Sequence, residues 1–168
     1  MEKFITKDVI ANRVYQLAVE ITQDYRKSKS SLPPVMICIL NGSIHFFSDL
    51  TRALSVTSEL DFIRLKSYSG QDNSGGVICL KDLELDLHNK QVYLVDDICD
   101  TGSTILEALF MINSRQPAEV KVVTLFKRKN GVDLTDFCGF EIDDEWILGY
   151  GLDNNGIQRE LPDVYKLN

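Results

Sequence analysis

The stretch from Gln91 to Ser114, QVYLVDDICDTGSTILEALFMINS, constrains the fold more than any other part of the chain. It opens as an apolar strand, passes through acids, a glycine and hydroxyls, and then repeats apolar residues at helical spacing. Ile105, Leu106, Leu109 and Ile112 are predicted to face inward. A strand that runs straight into a helix is half of a parallel βαβ unit. A second such unit precedes it. VMICIL (35–40) is a continuous apolar run, as in strands buried on both faces, and NGS turns it into a helix carrying Phe46, Phe47, Leu50 and Leu54.

The remaining elements fit the same plan. Ile10, Val14, Leu17, Ala18, Ile21 and Tyr25 recur at helical spacing behind Thr6, a suitable N-cap. LDFIRLK (60–66) alternates apolar and polar residues as a half-buried strand does, and VICL, VKVVTLF (120–126) and WILGY (146–150) give further strand signals. Residues 67–76, SYSGQDNSGG, form a polar, glycine-rich loop of a length typical of lids and binding loops. The expected architecture is α/β: a twisted, mainly parallel sheet with flanking helices and right-handed crossovers. No repeat or linker divides the 168 residues, so one domain over 1–168 is expected. In such a sheet ligands bind beyond the carboxyl ends of the strands, where both VDDICDTGST and LNGS fall.

Lys and Arg number 18 against 25 Asp and Glu, a formal charge of −7, which argues against wholesale binding to nucleic acid or an anionic membrane. No apolar run approaches the ~20 residues that span a bilayer. MEKFITKDVI lacks the pattern of a secretion signal, so the cytoplasm is the expected location. The four cysteines, Cys38, Cys79, Cys99 and Cys138, include no C-x-x-C pair and read as reduced thiols. Cys99, His45 and His88 read as structural.

VDDICDTGST poses a chemical puzzle, since carboxylates repel the phosphate that TGST suits. The tail enters the first turn of a helix, where unpaired N–H groups and the positive dipole end favour an anion. Gly102 permits close approach of the backbone, and Thr101, Ser103 and Thr104 add hydroxyls. Asp96 and Asp97 must then face something else: vicinal hydroxyls, or a hydrated Mg²⁺. Asp100 is placed to take or give a proton. A sugar phosphate meets all three demands. G-x-x-x-x-G-K-[ST] is missing, and GYGLDNNG has the wrong glycine spacing for a dinucleotide fingerprint.

Residues 95–104 resemble, residue for residue, the 5-phosphoribosyl-1-diphosphate (PRPP) motif of the type I phosphoribosyltransferases. LNGS, DFIRLKSY and LFKR…GFEI…WILGYGLD extend the resemblance to the hypoxanthine-guanine branch over about residues 5 to 168. The resemblance implies that fold, with a small hood formed by the chain termini. It implies that Asp96 and Asp97 bind the ribose hydroxyls, that Thr101, Gly102, Ser103 and Thr104 bind the 5′-phosphate, and that Asp100 is the acid/base at purine N7. Leu40–Asn41 would be a non-proline cis peptide, and Leu40, Asn41 and Gly42 would bind diphosphate together with Arg159. Ser67 and Tyr68 would head a mobile lid. In the purine pocket Lys127 would donate to the 6-oxo group, Trp146 would stack on the ring, and Ile147 and Asp153 would read the base edge. Asp153, Asp96 and Asp97 would hold Mg²⁺.

The implied reaction moves the phosphoribosyl group from PRPP to hypoxanthine, guanine or xanthine and releases diphosphate. A homodimer or homotetramer is implied as well. Asn41 and Ser103 depart from cations frequent in the family, so two positive charges near the phosphates are missing. The rival reading is a non-catalytic PRPP- or nucleotide-sensing regulator on the same fold. An aspartyl phosphatase would need D-x-D where this chain has D-D-x-x-D.

Overall fold

Twelve elements follow in chain order: β1 (Glu2–Ile5), α1 (Lys7–Ser28), β2 (Val35–Leu40), α2 (Ile44–Ala53), β3 (Glu59–Tyr68), β4 (Gly76–Lys81), β5 (Gln91–Cys99), α3 (Ser103–Asn113), β6 (Glu119–Arg128), β7 (Phe137–Ile142), β8 (Trp146–Leu148) and β9 (Val164–Leu167). The computed structural model describes residues 1–68 and 76–167, with Ser67 and Tyr68 described by their backbone alone. Residues 69–75, most of the expected lid, lie outside the described residues.

The main sheet has the order β4-β3-β2-β5-β6-β7. Its inner pairs are parallel and only the edge strand β4 runs antiparallel, against β3. The apolar runs of β2 and β5 are the central strands, buried from Val35 to Ile39 and from Gln91 to Asp96. One face is covered by α1 and α2, whose Leu17, Ile21, Phe46 and Leu50 meet Met36, Tyr93 and Val95. The other is covered by α3, whose Ile105, Ala108 and Ile112 meet Ile37, Ile63 and Leu94. At the lower end, Tyr93 donates to Asp24 of α1 at 2.7 Å and Lys121 reaches the same carboxylate at 2.6 Å, tying α1 to the sheet.

A separate three-stranded antiparallel sheet, β1-β9-β8, brings both chain termini together as the expected hood. The sequence reading differs from the structure in several places. WILGY is strand only as far as Leu148, and that strand belongs to the hood. The loop expected at 67–76 loses three residues to β3 and β4. Leu54 lies one residue past the end of α2. On α3 the inward trio is Ile105, Ala108 and Ile112, while Leu106 is 52% exposed, because the 100° turn per residue carries it off the seam. In β3 the polar Asp61 is buried and Leu60 is exposed. The Asp61 carboxylate accepts N–H bonds from Phe62, Glu84 and Leu85, which offsets its loss of water.

Candidate active site

The strand ends of β2 and β5, the start of α3 and the loop after β8 enclose one cavity of about 310 Å³. Its floor is the acid pair. Asp96 is 7% exposed and Asp97 partly buried, with the N–H of Asp97 donating to Asp96 Oδ1 at 3.0 Å and that of Ile98 to Asp97 Oδ1 at 2.8 Å. Burial pushes both carboxyls above the ordinary aspartate range, and the charge of Asp97 adds to the rise at Asp96. Two acids so placed are short of positive charge, and a donor-rich or cationic ligand would relieve them.

The opposite wall is the first turn of α3. Here α1 and α3 contrast. The N-terminus of α1 is closed by Thr6, whose hydroxyl accepts from Val9 N–H at 3.4 Å, and Asp8 sits in its first turn. The N-cap of α3 is Gly102, at φ +77°, with no side-chain cap and no acid in the first turn. Apart from Ser103 N–H, which reaches the Thr101 hydroxyl at 3.5 Å, its first-turn amide donors have no side-chain partner, and the dipole end that Asp8 offsets in α1 is unopposed. A Cβ on Gly102 would lie 2.8 Å from Leu134, so glycine serves both the backbone angle and the space. Thr101 and Ser103 bring their hydroxyls to 3.2 Å of each other beside this turn.

The third wall joins β2 to α2. Leu40–Asn41 is a cis peptide, and the loop is fixed below by the Ser43 hydroxyl, which donates to Ile39 O at 2.5 Å. Gly42 packs on the acid pair so tightly that a Cβ would lie 1.7 Å from Asp97 Oδ2. From above, Arg159 and Asp153 close the cavity. Arg159 Nη2 pairs with Asp153 Oδ1 at 2.7 Å and Nη1 donates to Gly151 O at 2.6 Å. The Arg159 charge also draws Asp97 down against the effect of burial.

Asp100 stands at the mouth, its side chain 54% exposed. The cation beside it is Arg128, whose Nε lies 3.3 Å from Asp100 Oδ2. Lys127, the residue expected in the purine pocket, has its ammonium 3.0 Å from both Asp133 and Glu141. Those two carboxylates raise its pKa well above the usual lysine range. Neighbouring residues on a strand project to opposite faces, so only one of the two cations can meet Asp100. Sequence reasoning did not single out Arg128, because the FKRK run alone does not say which of two adjacent cations the register of β6 against β5 turns towards Asp100. Arg128 Nη1 donates to the carbonyls of Asp143 at 2.7 Å and Glu145 at 3.2 Å, which lead into Trp146. Trp146 is 59% exposed, while the adjacent Ile147 is buried.

Asp96, Asp97, Asp100, Thr101 to Thr104, Leu40, Gly42, Asp153 and Arg159 thus converge on one cavity, with Asn41 exposed in the loop between two of them. Trp146, Ile147 and Lys127 are not part of its lining. The backbones of Ser67 and Tyr68 end β3 at the same strand-end face as Leu40 of the neighbouring β2.

An acid pair, an open helix start and the exposed carboxylate of Asp100 meet at one end of the parallel sheet of this α/β protein, an arrangement that suits a sugar phosphate. The family model of the phosphoribosyl transferase domain matches residues 8–155. The hypoxanthine-guanine-xanthine phosphoribosyltransferase of Tritrichomonas foetus is 38% identical over 160 residues, covering 93% of this chain and 85% of the relative. A crystal structure of a hypoxanthine-guanine phosphoribosyltransferase from Bacillus anthracis superposes with a TM-score of 0.91 at 32% identity, covering 100% of this chain and 99% of the other. The hypoxanthine phosphoribosyltransferase of Trypanosoma cruzi gives a TM-score of 0.92 at 31% identity, covering 100% and 91%. This chain belongs to the phosphoribosyltransferase family.

Proposed function

We propose that the chain is a purine-salvage enzyme, one catalytic domain over its whole length, that transfers the 5-phosphoribosyl group of PRPP to a 6-oxopurine. Hypoxanthine or guanine, with xanthine as a third base of the same class, gives the nucleotide and diphosphate. The observation that carries this reading is the cavity in which Asp96 and Asp97 face the uncapped start of α3. A phosphoribosyl group needs hydroxyl acceptors and a phosphate cradle within one cavity.

In the reaction the C1–oxygen bond to diphosphate breaks, the C1 bond to the purine nitrogen forms, and the N7 proton passes to Asp100. Asp96 and Asp97 hold the ribose hydroxyls, and their negative charge favours the positive charge that develops on the sugar ring. Thr101 to Thr104 hold the 5′-phosphate, while the loop of Leu40, Asn41 and Gly42 and the side chain of Arg159 hold diphosphate. Trp146 offers a stacking face, and Ile147 and Asp153 meet the base edge. Ser67 and Tyr68 head the segment that would exclude water. The geometry supports Arg128 over Lys127 as donor to the 6-oxo group, because N7 and the 6-oxo group share one edge of a purine and Arg128 stands beside Asp100.

Mg²⁺ fits this site on donor chemistry. Among the described residues no cluster of three could hold an ion alone, yet Asp96, Asp97 and Asp153, whose side-chain donors are hard carboxylate oxygens, all line the cavity, with Asp153 paired to Arg159. Such a set suits an ion that keeps water and substrate oxygens in its shell. When bound it would neutralise diphosphate as that group leaves. The same reading has the enzyme act in the cytoplasm as a homodimer or homotetramer; among the described residues no helix is long and apolar enough to cross a membrane. The test is an assay with PRPP, Mg²⁺ and hypoxanthine or guanine in which nucleotide and diphosphate appear in equal amounts. Their absence, with the protein folded, would overturn the reading.

A further inference from the structure

The exit of β6 holds Asp100 twice. Val132 N–H donates to the main-chain carbonyl of Asp100 at 3.1 Å, and Arg128 Nε stands 3.3 Å from its carboxylate. Between them Gly131 packs so closely that a Cβ there would lie 2.7 Å from the same carbonyl. Arg128 also reaches away from Asp100, donating through Nη1 to the carbonyls of Asp143 and Glu145. Its side chain is 15% exposed against 54% for Asp100. The guanidinium is therefore the fixed partner, and the carboxylate is the exposed group whose direction it sets.

We propose that Arg128 is a positioning residue: it fixes Asp100 relative to the 143–145 segment, so that the proton acceptor and the approach to Trp146 form one unit. The planar fork of arginine suits this task, because its separate N–H groups serve a carboxylate and two carbonyls together, whereas lysine has a single ammonium. A lone carboxylate at a loop mouth would sample several rotamers, and proton transfer requires one of them. The 143–145 segment would gain order from the same contact, since its two carbonyls are otherwise those of a short crossing between sheets. The inference rests on Asp100 being the acid/base of the proposed reaction and goes beyond Arg128 as a donor to the base.

The experiment is a double-mutant cycle in kcat at saturating PRPP and base, using Arg128→Met, Asp100→Asn and the pair, with Arg128→Lys alongside. Arg128→Met is expected to lower kcat roughly 10- to 100-fold, the scale on which a misplaced reacting group acts. In the Asp100→Asn background the same substitution should cost less than about threefold, because the two residues act through one step. Arg128→Lys should recover part of the loss by keeping a charge beside Asp100. Equal fold losses in both backgrounds, or Arg128→Lys no better than Arg128→Met, would overturn the positioning role. Thermal melts separate misfolding from misplacement, and where Arg128→Met fails to fold, the cycle is run with Arg128→Lys. Wild-type turnover of hypoxanthine tests the reaction itself, so failure of the cycle and failure of the function are distinguishable. A rise in KM for the base without coupling in kcat would leave Arg128 a base contact only and also overturn the proposal.

Discussion

The carbonyl oxygen of Gly42 lies 1.9 Å from where a Cβ on Gly151 would sit, so the loop after β8 and the loop after β2 touch backbone to backbone. Gly42 in turn leaves no room for a Cβ against Asp97. The three residues form a column from hood to acid pair. Gly151 also has φ +102°, a conformation that side chains disfavour. Gly151→Ala is expected to lower thermal stability by about 1–3 kcal/mol, the usual cost of such backbone strain. Gly42→Ala should displace Asp97 and raise KM for PRPP roughly tenfold or more, as ångström-scale misplacement does. Melts and PRPP titrations check both; a Gly42→Ala enzyme with wild-type KM would dissolve the column.

Asp100→Asn should mainly depress kcat, because the side chain keeps its shape and loses its basicity. Loss of a general acid–base group is typically worth ~10²–10⁴-fold. Steady-state kinetics at saturating substrates measure it, and an unchanged kcat would remove Asp100 from the mechanism.

Selectivity for 6-oxo over 6-amino purines should follow Arg128 and not Lys127. A cationic donor complements an oxo group and clashes in hydrogen-bond sense with an amino group. Wild type is expected to turn over hypoxanthine or guanine, with adenine near background. Arg128→Met should narrow that gap, whereas Lys127→Met should leave it, since Lys127 is held by Asp133 and Glu141. The opposite pattern in kcat/KM for the two bases would restore Lys127 as the reader.

Activity should require a divalent metal. Asn41 and Ser103 bring no charge to the phosphates, and Arg159 is the one cation lining the cavity among the described residues. Dialysis against EDTA followed by readdition of Mg²⁺ should abolish and then restore turnover. Full activity after chelation would sink this expectation.

The sequence carried the local form of β5 and α3 well, because strand, acids, glycine and hydroxyls are contiguous there and each obeys a local rule. Burial of both faces made β2 legible for the same reason. What escaped depends on distance or parity. β1 and β9 are four-residue strands that pair across the whole chain, as Lys3 with Tyr165, and neither carries a periodic signal of its own. β7, FCGFEI, lies at the sheet edge with only Ile142 buried, so its apolar pattern is weak. Lys127 and Arg128 differ by one residue, and one residue on a strand reverses the face. No composition rule decides which of two adjacent cations meets Asp100; the register of β6 against β5, Cys99 beside Lys127, does.

The only tryptophan in the chain gives the last test. Trp146 begins β8 with 59% of its surface exposed, right after the two carbonyls that Arg128 holds. An indole that served only to fill a core would be covered; this one has a face open to a ligand. If a purine stacks there, guanosine monophosphate should change the fluorescence of a single, assignable fluorophore. Stacking of a base on an aromatic side chain is worth ~1–3 kcal/mol in single-strand complexes, roughly a 5- to 150-fold change in affinity. Trp146→Ala should weaken nucleotide binding within that range, and Trp146→Phe should keep most of it. Because the side chain is largely exposed, neither substitution should lower the melting temperature by much. A purely structural Trp146 predicts the reverse: lower melting temperatures with unchanged nucleotide affinity per folded molecule. Titrations of wild type and both variants, with melts in parallel, separate the two, and unaltered emission at saturating nucleotide together with full affinity in Trp146→Ala would end the stacking assignment.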